Sequence, residues 1–250
     1  MTTILLFDTI IKIEVLWRLK VEIKDTIEGY NNENLVYNIY KTGEKVNNKM
    51  LYFIIKRAFD IVVSFSAMIL LLPLFVLIGI LIKIDSKGPI FFMHSRIGKN
   101  GKKIKIFKFR TMVENAEELM KRFTPEQKKE FEENYKLDND FRITKIGNIL
   151  RKTSLDELPQ LLNILNGDMS IVGPRPLVEK EIEKYGENKE KLLSVTPGLT
   201  GNWACNGRSN IEYPERMKLE LEYVDKCSLL MDIKIIFKTA IGVFKKEGAK

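Results

Sequence analysis

Ile61-Val-Val-Ser-Phe-Ser-Ala-Met-Ile-Leu-Leu-Leu-Pro73-Leu-Phe-Val-Leu-Ile-Gly-Ile-Leu-Ile82 runs for 22 residues without a charge. At about 1.5 Å per residue, a straight helix of that length spans a hydrocarbon core of about 30 Å. Two features work against a simple span. Pro73 lies near the middle, where it removes a helical hydrogen bond and crowds the preceding turn, so the helix should kink or break there. Basic residues stand at both ends, Lys56 and Arg57 before the run and Lys83 and Lys87 after it. Positive flanks on both sides suggest that both ends stay cytoplasmic. A break at Pro73 leaves two arms of roughly 12 residues, each about 18 Å long. Neither crosses the bilayer. The run therefore predicts a re-entrant membrane helical hairpin over residues 51–87, broken near Pro73. A kinked transmembrane helix is the alternative that periodicity leaves open. Asp60, at the entry, must stay interfacial or paired.

Upstream, residues 1–50 form an extension to which the sequence assigns no role. Residues 4–7 are apolar, but Asp8 interrupts them and no basic segment precedes them, so a cleaved signal peptide is not expected. Residues 28–48, rich in Asn, Tyr and Lys, read as a linker. Downstream, Gly88-Pro89 ends the membrane element and residues 88–250 read as a cytosolic globular domain. Residues 90–93 and 102–109 read as strands, with a hairpin turn signalled by Asn100-Gly101. Alternation along the second strand puts Lys108 and Arg110 on one face. That is either an ordinary charged face or a site for a diphosphate or lipid phosphate. Residues 113–123 and 125–136 read as charged, solvated helices, the second opened by the capping box Thr124-Pro125-Glu126-Gln127. Residues 229–244 place Ile233, Ile236, Phe237, Ala240, Ile241 and Phe244 on one stripe, with Lys234, Lys238, Lys245 and Lys246 on or near the other side. This is either an interfacial amphipathic helix or a core-packing one. The fold class is α/β, mainly α, with a small β-hairpin, a re-entrant membrane helix–break–helix and amphipathic surface helices.

Composition narrows the chemistry. A formal charge of +8 and a pI of about 9.2 over 250 residues suggest an anionic partner. Nucleic acid is disfavoured, because no recognition motif or basic stripe with interleaved aromatics is present. Two cysteines, Cys205 and Cys227, make no metal-type spacing and suit a reducing compartment. A single histidine, His94, excludes multi-histidine metal sites and leaves catalysis to carboxylates, Lys and Arg.

The chemistry-bearing stretch is Arg151-Lys-Thr-Ser-Leu-Asp156-Glu157-Leu-Pro159-Gln160, followed by Gly167-Asp-Met-Ser-Ile-Val-Gly-Pro-Arg175-Pro176. Adjacent acids on a helix point about 100° apart, so Asp156 and Glu157 do not form the facing pair of a glycosidase. They can divide two jobs, nucleophile and metal ligand. They also fit a helix start, with Ser154-x-x-Glu157 as a capping box or Asp156 itself as the cap if Pro159 lies early in the helix. Flanking prolines hold Arg175 at low entropic cost, which suits bidentate phosphate binding, though an ordinary solvated turn reads the same way. Trp203 and Arg208 lie in or beside a turn-rich loop. They suit stacking on a base and contact with phosphate, or simple packing.

Taken together, Lys56-Arg57, Pro73 in the apolar run, Arg96-Ile-Gly-Lys-Asn-Gly101, Lys108-Phe-Arg-Thr-Met112, Ser154-Leu-Asp-Glu-Leu-Pro-Gln160 and Gly167-Asp-Met-Ser-Ile-Val-Gly-Pro-Arg-Pro176 resemble the bacterial sugar transferase family, the monotopic phosphoglycosyl transferases. The resemblance covers roughly four fifths of the chain, from about Ile55 on. It implies transfer of a sugar 1-phosphate from a UDP-sugar to undecaprenyl phosphate at the inner leaflet of the bacterial cell membrane, with release of UMP. It implies Mg²⁺ held by Glu157, Asp156 as nucleophile through an aspartyl-phosphosugar intermediate, and Arg175 on the donor phosphates. Larger relatives carry several transmembrane helices ahead of this domain, where this chain has about 50 unassigned residues. Two rival readings stand beside it. One is a non-enzymatic membrane scaffold for glycan assembly. The other is a glycosyltransferase that moves the sugar without its phosphate, for which Asp138-Asn-Asp140 only superficially resembles an Asp-x-Asp motif.

Overall fold

The computed structural model describes residues 45–134, 137, 140–207 and 211–244. The chain divides into two compact units, Met1–Val62 and Val63–Lys250. The described part of the first is the opening of helix α1 (Lys45–Asp85), which continues into the second.

Helix α1 is one 41-residue element with Pro73 inside it. The break expected near Pro73 does not interrupt the helical backbone. A proline removes only its own hydrogen bond, and both flanks are held by packing. Ala67, Met68 and Leu71, before the proline, lie against the core of Ile104, Ile106, Leu161, Ile164 and Met169. Leu74, Phe75, Ile78 and Ile82, after it, join Phe109 and Leu150. The opposite surface stays apolar and open, with Ile69, Leu70, Leu72, Val76, Leu77 and Ile80 exposed. Among the described residues this is the one helix long and apolar enough to cross a membrane.

Strands β1 (Phe91–Ile97) and β2 (Lys103–Phe109) form an antiparallel hairpin, in register from Phe91↔Phe109 to Ile97↔Lys103. The turn contains Asn100 at φ 54° and Gly101 at φ 78°, the left-handed conformations that Asn-Gly signals. Strand β1 runs four residues past its expected end and takes in His94, which is exposed. Ile104 and Ile106 point inward from β2 and are buried. Lys108 continues the same parity toward the site.

Short helices follow: α2 (Ala116–Leu119), α3 (Pro125–Asn134), α4 (Lys145–Thr153) and α5 (Gln160–Leu165). The helix expected over residues 113–123 is only α2 and a 3-10 turn at Met120–Arg122. The capping box before α3 forms in both directions: Thr124 N–H donates to Gln127 Oε1 at 3.0 Å, and Gln127 N–H to Thr124 Oγ1 at 3.2 Å.

A second sheet was not legible in the sequence. Strands β3 (Ser170–Val172) and β4 (Gly198–Thr200) pair in parallel, enclosing α6 (Glu179–Glu183) and α7 (Lys189–Leu193). The loop after β3 interlocks with β4 because glycines let the backbones meet. A Cβ on Gly173 would lie 2.4 Å from Thr196 O, and one on Gly198 2.1 Å from Gly173 N. Helices α8 (Asn202–Cys205), α9 (Tyr213–Lys226) and α10 (Leu229–Phe244) complete the unit. Buried Tyr223 joins three elements: its hydroxyl oxygen lies 2.8 Å from Asp232 Oδ1 and 3.2 Å from Val172 O, with one proton between the two acceptors. Along α10 the expected apolar stripe is mostly open: Ile233, Phe237 and Ile241 are exposed and Ile236 is partly buried, while Ile235, outside that stripe, packs into the core.

Candidate active site

The acid pair is set by a backbone turn. Helix α4 ends at Ser154, whose φ of 57° is left-handed, a conformation that costs a non-glycine residue about 1–2 kcal/mol. The chain then enters a 3-10 turn, Leu155–Glu157. Leu155 packs toward the core beside Phe109 and Leu150. The expected capping box is absent. Ser154 makes no side-chain cap bond to this turn, and Pro159, not Asp156, occupies the cap position of α5. The Glu157 carboxylate instead accepts a hydrogen bond from Lys108 Nζ at 2.7 Å.

Lys108 serves both acids, since its Nζ also lies 3.9 Å from Asp156 Oδ2. Arg175 Nη1 stands 3.9 Å from Glu157 Oε1. Asp156 is buried, and its pKa is pushed up to about 6. Burial is the main cause, the Glu157 charge adds to it, and Lys108 and Arg151 oppose it. Arg151 is anchored by Nε–H donation to Thr111 Oγ1 at 3.0 Å, and burial lowers its own pKa.

Asn163 sets the distance between Lys108 and the acids. It is fully buried, accepts from Phe107 N–H at 2.9 Å and donates to Lys105 O at 2.7 Å. The amide thus takes the place of a neighbouring strand for β2 and fixes that strand against α5. The sequence hinted at Asn163 only as a polar residue within an apolar helix.

The Arg175 side of the site comes from β3 and α9. Arg175 N–H donates to Glu220 Oε2 at 2.9 Å, and its guanidinium carbon lies 5.7 Å from the Trp203 ring centroid. Trp203 is half-buried, with Arg216 over its ring at 4.4 Å. It is therefore not the freely exposed platform that the loop composition suggested. Burial first, and then the charge of Arg175, lower the pKa of Arg96, which marks a concentration of positive charge. Arg96 and Arg151 stood in quoted motifs without a role of their own, and Arg216 and Glu220 were not singled out from the sequence.

Arg110 does not join Lys108 at the acids. It is buried and turned toward the end of α1. Its Nε–H donates to Pro89 O at 2.5 Å, Nη1 to Lys87 O at 2.7 Å and Ser86 Oγ at 2.9 Å, and Nη2 to Ser86 O at 2.9 Å. Its donors are committed to backbone carbonyls and a hydroxyl, so here it clamps the segment after α1. Arg208 lies outside the described residues.

No group of three or more His, Cys, Asp or Glu side chains among the described residues could cage a metal ion. A Mg²⁺ ion commonly takes one or two carboxylates and completes its shell with water and substrate phosphates. Glu157 offers one such carboxylate, paired here with the Lys108 ammonium at 2.7 Å.

Comparison with known proteins bears on this arrangement. Residues 51–246 match the sequence model of a family described as "Bacterial sugar transferase". The chain is 46% identical over 197 residues to the exopolysaccharide production protein ExoY of Sinorhizobium fredii, covering 78% of this chain and 87% of that one. It is 40% identical over 223 residues to an undecaprenyl-phosphate galactose phosphotransferase of Salmonella typhimurium, covering 88% of this chain and 46% of that one. It is 38% identical over 223 residues to a UDP-glucose:undecaprenyl-phosphate glucose-1-phosphate transferase of Escherichia coli, covering 86% and 44%. The chain thus spans most of the first relative and about half of the other two.

Proposed function

The chain belongs to the bacterial sugar transferase family, and from that premise we propose that it transfers a sugar 1-phosphate from a UDP-sugar to undecaprenyl phosphate, releasing UMP. The product, undecaprenyl-diphosphate-sugar, would begin assembly of an exopolysaccharide, capsule, O-antigen or protein-linked glycan. The observation that carries this reading is the buried Asp156 carboxylate with Lys108 3.9 Å away, next to a Glu157 that meets both Lys108 and Arg175.

An Asp156 oxygen attacks the phosphorus that bears the sugar. The bond from that phosphorus to the oxygen bridging to UMP breaks, and its electron pair leaves with UMP. An oxygen of undecaprenyl phosphate then attacks the same phosphorus, and the Asp156 carboxylate departs intact. Both steps bring anions together, so fixed cations must neutralise the approach. Lys108 and Arg175 supply that charge next to the acids. Mg²⁺ held by Glu157 would supply further neutralisation of the donor phosphates. The pKa of Asp156, about 6, leaves the carboxylate mostly ionised and nucleophilic at neutral pH.

The exposed apolar faces of α1 and α10, with Phe91, Phe92 and Met93 exposed on β1, support a position at the cytoplasmic face of the cell membrane. There the site would meet a lipid phosphate at headgroup level. Re-entrance of α1 into one leaflet, with Pro73 bending the helix and not breaking it, belongs to the same proposal.

The test is nucleotide release by protein in detergent with Mg²⁺, undecaprenyl phosphate and a panel of UDP-sugars, beside Asp156→Asn. UMP from one donor, absent in the variant, is the expected result. UDP as the product would establish sugar transfer without phosphate. An Asp156→Asn variant that still supports glycan assembly in cells would establish a scaffold.

A further inference from the structure

Helix α9 presents two buried ionisable side chains to the Arg175 loop. Glu220 is 2% exposed and accepts the Arg175 backbone N–H at 2.9 Å across 45 positions of chain. Arg216, one turn earlier, is 6% exposed. Its Nε lies 3.9 Å from Glu220 Oε1 and its Nη1 3.6 Å from Glu181 Oε1. The guanidinium is enclosed by the rings of Trp203, at 4.4 Å, and Tyr213, at 4.9 Å. Tyr213 is itself fixed by donating to Glu181 Oε1 at 2.9 Å.

One helix face therefore fixes the main chain of Arg175 and the ring of Trp203. The Arg175 side chain is 41% exposed and meets Glu157 only at 3.9 Å, so its tip is lightly held and its placement depends on its root. Pro174 and Pro176 constrain the neighbouring φ angles but leave the orientation of the Arg175 peptide group open. The Glu220 acceptor closes that freedom. A buried acid–base pair adds little net stability over an apolar pair of similar shape, so what this pair supplies is geometry.

We infer that Glu220 and Arg216 are positioning residues of the donor-phosphate site, setting affinity for a nucleoside diphosphate through Arg175 and Trp203 without touching it. The inference rests on the reading of Arg175 as a phosphate-holding residue.

UDP, the portion shared by all the proposed donors, is the probe. Its affinity for the full chain in detergent is measured by calorimetry for wild type, Arg175→Ala, Glu220→Ala, Glu220→Gln, Arg216→Lys and the Arg175→Ala/Glu220→Ala double variant. Loss of a charge-assisted hydrogen bond corresponds to about a tenfold weakening or more, and that is expected of Glu220→Ala. Glu220→Gln keeps an oxygen that accepts the same N–H and should retain most of the affinity. Arg216→Lys cannot span two rings and two carboxylates and should weaken binding. The double variant should bind no more weakly than Arg175→Ala, because Glu220 acts through Arg175. Wild-type UDP affinity in Glu220→Ala and Arg216→Lys, or additive losses in the double variant, would overturn the inference. Wild-type affinity in Arg175→Ala would instead overturn the Arg175 reading. Should Glu220→Ala not fold, Arg216→Lys and Glu220→Gln carry the same comparison: loss in the first with retention in the second supports the inference, and wild-type affinity in both overturns it.

Discussion

Replacing Arg110 with Met tests whether this arginine is structural or substrate-binding. The side chain is 6% exposed, and it donates four hydrogen bonds of 2.5–2.9 Å to Ser86, Lys87 and Pro89. Hydrogen bonds to charged donors contribute about 1.5–3 kcal/mol each, but these are not additive. Residues 86–89 are half-buried or exposed, so water can replace part of what is lost. A net loss of about 3–5 kcal/mol, the cost of breaking one buried charged cluster, is the better figure. For a chain of this length each kcal/mol moves the melting temperature by roughly 2–4 °C, so a drop of about 6–20 °C is expected. The assay is a thermal scan of both proteins in one detergent at one heating rate, with donor KM measured well below either transition. A folded Arg110→Met variant should show a lowered melting temperature and a donor KM within about twofold of wild type, since a clamp lost elsewhere leaves uniform binding unchanged. An unchanged melting temperature with a donor KM raised tenfold or more would refute the clamp and restore Arg110 to the phosphate site.

Lys108→Met should behave in the opposite way. It removes the 2.7 Å contact to Glu157 and the nearest ammonium to Asp156, so UMP release should fall at least about a hundredfold, as for other electrostatic stabilisers, with a smaller stability loss than Arg110→Met. Near-normal turnover would remove Lys108 from the mechanism. Asn163→Ala removes the partner of the half-buried Phe107 N–H and of the Lys105 carbonyl. At about 1–3 kcal/mol per unsatisfied group it should lose up to roughly 2–6 kcal/mol in denaturant titration and also slow UMP release; a stable, fully active variant would show that β2 keeps its place without the amide. Glu220 gives a pH signature. Burial raises its folded-state pKa from 4.5 to about 7, with Arg216 and Arg175 opposing and Glu181 assisting. A group raised on folding contributes stability that is complete below about pH 4.5 and lost as pH rises through 7, at most about 3 kcal/mol. The melting temperature of wild type relative to Glu220→Gln should therefore fall between pH 5 and pH 8, and a difference independent of pH would contradict the shift.

What the sequence revealed was mostly what short-range chemistry determines. Asn100-Gly101 specifies its own backbone, and the capping box at Thr124 and Gln127 closes within one turn, so both appear where residue types place them. Ser154 and Glu157 carry the same capping signature and do not close it. Lys108, 49 positions away in the chain, offers Glu157 a cation, which is a stronger partner than a turn N–H. Pro73 shows the same competition, since packing on both flanks holds a helix that its own chemistry would interrupt. Strands β3 and β4, at three residues each, are too short to display a period. They exist because Gly173 and Gly198 let two loops meet.

The two basic residues of Lys108-Phe-Arg110 show where pattern reading stops. Extending the alternation of β2 puts both on one face, and that inference holds only while the chain remains a strand. The strand ends at Phe109, whose ring is buried against Phe75 and Phe91, and the next residue leaves the pleat. Lys108, still inside it, follows Ile104 and Ile106 inward and meets the acids. Arg110, one step past the end, meets the carbonyls beyond α1. Arg216 and Glu220 evade reading for a related reason. At i and i+4 in a helix rich in Lys and Glu, they look like one more solvated pair, and only burial separates them from Lys226 and Glu222, which form the exposed version on the same helix. Residue type and local spacing nominate the groups that can do chemistry, but the ends of elements and the depth of burial decide which of them reach the site.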